Sequence, residues 1–249
     1  SEMDYFVSSE LMETNESKKH YSEELFLLKS LPTYFSYPNF PKELKPLSYF
    51  GLPEGKNLYL CSQNLRKVHP DFDQILEKIL KCDQNGIIVF ISNKYSEITN
   101  ALKKRLQNKY PEVIERIKFV PFMSEIDYLN LLLLSTVALD TLYYVGTNTT
   151  YEALAAGLPV VTLPDNFHRS RHTYAVYKQM GLYECIAKNI DDYVELSIKI
   201  ATNKNFRADL SKSILENCYK IFDNPNSIEE LSEFFLFAIR QQKEKNNSF

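Results

Sequence analysis

Residues 137–164, VALDTLYYVGTNTTYEALAAGLPVVTLP, decide the fold. Val137, Ala138 and Leu139 form the short apolar run of a parallel strand buried on both faces, and Asp140 and Thr141 close it. Gly146 then supplies one flexible residue before four small polar ones, Thr147, Asn148, Thr149 and Thr150. Asn148, Thr149 or Thr150 is expected to cap a helix beginning near Tyr151, whose free first-turn N–H groups favour an anion. Gly157 and Pro159 stop that helix before a second apolar strand over 160–163. An α/β protein places a nucleotide's phosphates at such a junction. Glu152 stands on the first turn, where a carboxylate beside an anion is unfavourable unless it accepts from hydroxyls such as a ribose 2′,3′-diol; otherwise it only complements the helix dipole.

Outward from this stretch, the chain alternates strand-like and helix-like segments from residue 57 onward. Strands are expected over 58–61, 86–92, 117–122, 137–140 and 160–163. Helices are expected over 70–82 and 95–110, after a Ser124 cap through the leucine run 131–134, and over 169–180 up to Gly181. Residues 190–242 read as three further helices broken near Asn203 and at 223–225. The pattern is α/β, a doubly wound parallel sheet that binds ligands beyond the carboxyl ends of its strands. The first residues differ: 4–8 reads as a strand, 21–28 as a short helix, and 31–46, rich in Pro, Tyr and Phe, as an arm laid on the domain. The expected division is an arm over 1–46, a domain over 47–242 and a frayed Lys/Asn-rich tail over 243–249.

Composition narrows the function. With 249 residues, 44% of them hydrophobic and 24% charged, the chain can bury a real core. A net charge of −3 without basic tracts argues against nucleic acid. The longest apolar run falls far short of the roughly 20 residues that cross a bilayer, and the absence of a signal-peptide pattern leads us to expect a cytoplasmic protein. Cys61, Cys82, Cys185 and Cys218 are too widely spaced for a zinc site and suit reduced thiols. His168 and His172 can share a helix face, but no third ligand is evident and no metal cofactor is expected.

Three other loops bear on the same strand ends. Residues 62–67, SQNLRK, offer two cations: Lys67, a compact point charge, suits a diphosphate, while a solvated loop is the plainer alternative. After the third strand, the backbone around Met123 can read a base edge and Tyr128 can stack on the base, or simply pack in the core. At the start of the helix expected over 169–180, Arg169 and Arg171 oppose the helix dipole, so an anion or acid elsewhere is expected to hold them.

The motifs DYFVSS, HYSEELFLLKSLPTYF, QNLRKVHP, FVPFMSEIDYL, the stretch from Leu139 to Pro164, RSRHTYAVYKQMGL and ECIAKNIDDYVELSIKIATN follow one another in an order that resembles the C-terminal, UDP-binding half of the catalytic region of the O-GlcNAc transferase family, with its bacterial and HMW1C-like relatives. The resemblance covers most of residues 4–222 and implies a Rossmann-like domain of a two-domain GT-B glycosyltransferase that transfers a sugar from UDP-GlcNAc or UDP-glucose to a protein or peptide acceptor. By the resemblance, Lys67 neutralises the diphosphate and stabilises the departing UDP. Asn64 stands where the family commonly has Gln, and Tyr128 where it has a stacking His. Asn148 and Thr149 match the pair that bonds the diphosphate, and Glu152 an acid on the ribose. Thr147 replaces a His, and Arg171 matches a recurrent Arg. Gly146, Met123 and Thr150 complete the expected donor site. The first catalytic half, with the catalytic base, and the family's tetratricopeptide repeats are not among these residues, so the isolated chain is expected to bind donor without transferring sugar. The alternatives are a nucleotide-sugar-binding or interaction module without turnover, and a GT-B enzyme such as a UDP-sugar epimerase.

Overall fold

Apolar runs too short for helices become the strands. The computed structural model describes residues 3–246. A parallel pair near the start, β1 (Tyr5–Ser9) and β2 (Glu24–Leu28), precedes five strands that build the central sheet: β3 (Asn57–Cys61), β4 (Gly86–Ile91), β5 (Ile117–Val120), β6 (Val137–Leu139) and β7 (Val160–Val161). All five are parallel in the order β5-β4-β3-β6-β7. The chain moves outward from β3 on one side and from β6 on the other, so the switch point lies between their carboxyl ends. Eight helices are described: α1 (Pro70–Cys82), α2 (Ser96–Lys109), α3 (Glu125–Leu134), α4 (Asn148–Ala155), α5 (His172–Met180), α6 (Ile190–Thr202), α7 (Lys204–Asn217) and α8 (Asn226–Asn246).

Local chemistry explains most boundaries. The α1 face of Phe72, Ile75, Leu76, Ile79 and Leu80 is buried at helical spacing, and His69 caps it by accepting from the Asp71 N–H. Ser124, Asn189 and Asn203 cap α3, α6 and α7 in the same way, and α5 stops at Gly181 with φ 78°. Helices are tied to strand ends by buried hydroxyls. Tyr193 donates to the Asp140 carbonyl at 2.9 Å, and the Val160 N–H donates to the Tyr177 hydroxyl at 2.9 Å.

Two expectations change. Residues 21–28 hold strand β2 rather than a helix: ELFLL is a short apolar run, ambiguous by periodicity, and its pairing with β1 supplies the backbone bonds that decide it. The helix expected from 169 begins at His172, preceded by a 3-10 turn at His168–Ser170.

Residues 5–45 are fastened to the rest of the chain along their length. Phe234 and Phe237 of α8 pack on Tyr5 and Phe26, Thr33 bonds the Tyr151 hydroxyl at 2.8 Å, and Lys45 pairs with Asp127. One Glu13 oxygen accepts from Ser8 at 2.6 Å and Tyr21 at 2.9 Å and meets the His168 ring at 2.8 Å. Burial alone would raise the Glu13 carboxyl, but the bonds from His168, Ser8 and Tyr21 outweigh it and bring it down to about 2.

Between α1 and α2, Asp73 is fully buried and receives both Nε (2.9 Å) and Nη2 (2.8 Å) of Arg105. Arg105→Ala strands that carboxylate, and urea unfolding should show a loss of about 3 kcal/mol. Arg105→Lys should recover only part of it, because an ammonium cannot reproduce the fork.

Candidate functional site

The strand ends at the switch point carry polar side chains that bond one another across it. After β3 the chain enters a 3-10 turn, Leu65–Lys67, capped by Asn64, whose side chain accepts from the Arg66 N–H at 3.1 Å. After β6, buried Asp140 accepts from the Gly146 N–H at 2.9 Å and from the Thr162 hydroxyl at 2.9 Å. Burial raises its carboxyl to about 6, against the bonds from Thr173, Gly146 and Thr162 and the charge of Lys67.

Gln63 donates to the Thr149 hydroxyl at 2.7 Å, closing the gap between the β3 loop and α4 directly over Gly146. A Cβ on Gly146 would stand 2.3 Å from Gln63 Nε2 and 2.6 Å from Thr149 Oγ1, so only glycine permits this approach. Lys67 donates to the Val145 carbonyl at 2.9 Å and lies over the Tyr144 ring at 4.5 Å. Burial lowers its ammonium pKa, opposed by the Asp140 charge.

The helix beyond the loop starts earlier than expected. Asn148, Thr149 and Thr150 do not cap it but form its first turn, with Thr147 in the cap position and making no side-chain capping bond. The Thr147 carbonyl already accepts from Thr150 and Tyr151, while the hydroxyls of Thr149 and Thr150 are drawn to Gln63 and Thr173. The first N–H groups of α4 have no acceptor within the helix and remain suited to an anion.

A cleft of about 540 Å³ opens beside this turn, lined by Asn64, Met123, Tyr128, Thr149 and Glu152 among others. The Tyr128 hydroxyl donates to Ser62 at 3.3 Å, and burial raises its pKa. Burial and the charge of Glu125 raise the half-buried Glu152 carboxyl, which the Tyr128 hydroxyl partly offsets. A carboxylate so placed gains from further hydroxyl donors.

The remaining expected residues divide. Gly146 and Thr150 are buried beneath the cleft and Asn148 is exposed. Thr147 faces a smaller cavity of about 100 Å³ shared with Met12, His168 and His172. Neither Lys67 nor Arg171 is among the cleft-lining residues; Arg171 donates to the carbonyls of Met12 and Asp165. His168 and His172 stand 4.9 Å apart, and no group of three or more His, Cys, Asp or Glu among the described residues could hold a metal ion. Sequence reasoning left Gln63 and Asp140 without roles. Both are polar residues directly after buried strands, which is the signal that could have found them.

Residues 43–224 match the sequence model of glycosyl transferase family 41. The chain belongs to this family. Similar relatives include SPINDLY of Petunia hybrida, described as a probable UDP-N-acetylglucosamine–peptide N-acetylglucosaminyltransferase, 26% identical over 86% of the chain and 23% of the relative. SEC of Arabidopsis thaliana, described in the same words, is 26% identical over 85% of the chain and 22% of the relative. The family 41 chain thus spans about a quarter of the length of these relatives. A mutant of the Thermobaculum terrenum O-GlcNAc transferase superposes with a TM-score of 0.80 at 24% identity, over 94% of this chain and 44% of that one. Sucrose-phosphate synthase of Thermosynechococcus elongatus follows at 0.63 and 13% identity, over 94% and 59%. The fold is that of the C-terminal domain of a GT-B glycosyltransferase, and no helix among the described residues is long and apolar enough to cross a membrane.

Two outcomes follow from the buried loop. Gly146→Ala should cost about 1–3 kcal/mol in chemical unfolding, because the new Cβ would displace Gln63 and Thr149 and break the bond between them. An acid raised from 3.8 to about 6 contributes stability that is complete below pH 3.8 and is lost as pH rises through 6. Wild type should therefore gain about 2–3 kcal/mol relative to Asp140→Asn on going from pH 7 to pH 4, read from paired urea titrations.

Proposed function

We propose that this chain is the donor-binding portion of a UDP-sugar-dependent protein glycosyltransferase. One observation carries the reading: the first turn of α4 and the half-buried Glu152 stand at one cleft at the switch point, and Lys67 is bonded to Gln63, which lines that cleft, and to the Val145 carbonyl. The uracil stacks on Tyr128 near the Met123 backbone, and Glu152 accepts from the ribose hydroxyls. The diphosphate lies against Asn148, Thr149 and the N–H groups of α4, with Lys67 on its other side. As the sugar leaves, negative charge grows on that diphosphate, where a fixed cation and preset N–H groups stabilise it most.

The donor is UDP-GlcNAc or UDP-glucose, and the acceptor a protein or peptide. The relatives' names support the first of these and the peptide acceptor. The larger protein would add the first GT-B half, with the proton acceptor, and tetratricopeptide repeats. On this reading residues 1–46 are the arm from that first half, 47–242 the donor domain and 243–249 its tail. The cysteines are free, which supports a reducing, cytoplasmic setting.

Calorimetry on the chain tests the site. Lys67→Ala should weaken UDP by about 1.5–3 kcal/mol and leave uridine nearly unchanged. Equal losses for both ligands would move the lysine away from the diphosphate. Glu152→Gln should penalise UDP more than 2′,3′-dideoxy-UDP. With a radiolabelled donor the chain alone should transfer no sugar to protein, since one wall of the cleft cannot align two reactants.

A further inference from the structure

Tyr143 has φ 67°, one of two non-glycine residues with positive φ among those described, and this backbone is costly for a residue with a Cβ. Its neighbours hold it there. The Tyr143 hydroxyl donates to Asp71 at 2.8 Å and its ring meets the edge of His69 at 4.9 Å, so the N-terminal end of α1 anchors the side chain. Thr141 donates to the Tyr144 carbonyl at 2.8 Å, and the Val145 N–H donates to the Arg169 carbonyl at 3.0 Å. The turn is thus pinned on three sides.

What it presents is the environment of one cation. The Val145 carbonyl accepts from the Lys67 ammonium at 2.9 Å, the Tyr144 ring lies 4.5 Å from it, and Gln63 Oε1 stands at 3.4 Å. An ammonium has three N–H donors, so the two hydrogen bonds leave one for a ligand. A free lysine samples many rotamers, and holding it in one removes that entropy cost from binding. Tyr144 is 53% exposed, so its ring is not there to fill the core.

We propose that the left-handed Tyr143 and the ring of Tyr144 form a positioning device for Lys67, which presets the ammonium for a ligand's diphosphate. The proposal rests on the donor-site reading above. Tyr143 and Tyr144 act through Lys67 and need touch neither base nor ribose.

The test uses UDP and uridine as paired calorimetric probes on the chain, with thermal unfolding followed alongside. Tyr143→Val resists the left-handed backbone and should weaken UDP about tenfold, while Tyr143→Gly, which accepts that backbone but loses the Asp71 anchor, should weaken it only about threefold. Tyr144→Leu should weaken UDP about fivefold and Tyr144→Phe should restore it, because the ring face and not the hydroxyl does the holding. Uridine should bind all four variants like wild type. A second readout needs no nucleotide: in chain labelled with carbon-13 lysine, the Lys67 ε-methylene signal should lose its ring-current shift in Tyr143→Val and Tyr144→Leu and keep it in the other two. An unmoved Lys67 signal in Tyr143→Val, or full UDP affinity there while Lys67→Ala loses it, overturns the positioning role. Wild type that shows the ring-current shift but binds no UDP overturns the donor reading instead.

Discussion

The site depends on a buried carboxylate. Asp140 sits buried at the carboxyl end of β6, and it accepts from the Gly146 N–H and the Thr162 hydroxyl. The first bond folds the loop back so that Gly146 passes beneath Gln63 and Thr149; the second ties the ends of β6 and β7. Tyr193 of α6 adds a bond to the same residue's carbonyl. An unpaired charge there would be expensive, so the loop has few alternatives to the shape that satisfies it.

That shape sets the electrostatics above it. The α4 N-terminus and Lys67 favour negative charge, while Glu152 and Glu125 at the cleft oppose it. Opposite preferences side by side suit a ligand that is itself divided, with an anionic segment next to a hydroxyl-rich one. A simple anion would satisfy the first half and be repelled by the second. The strain at Tyr143 belongs to the same economy, since a conformation costing about 1–3 kcal/mol persists only where its surroundings over-determine it.

The first strands are joined to the rest of the chain by buried chemistry. Glu13 is drawn out of water yet kept ionised by Ser8, Tyr21 and His168, and Arg171 reaches across to the Met12 carbonyl. A partly buried network of this kind specifies one docking geometry more strongly than apolar contact would, because any displacement leaves polar groups unpaired. Arg171 accordingly ties the backbone at Met12 to that at Asp165.

The sequence by itself determined the doubly wound sheet, because its buried strands are short apolar runs and its helices carry caps and glycine stops within a few residues of their ends. Pro70, Ser124, Gly181 and Asn203 each state a boundary through local backbone chemistry. The junction around Gly146, with Lys67, Tyr128 and Glu152 near it, was legible for the same reason, since residues after parallel strands gather at one sheet edge. Only the tertiary structure decided that residues 24–28 are a strand, because the bonds that make them one come from residues 5–9. It alone shows Gln63 reaching Thr149, Asp140 gripping Gly146, and Arg171 turned toward Met12. Those partners lie far apart in the chain or depend on how a loop folds back, and local propensity carries no information about which distant polar group will satisfy a buried one.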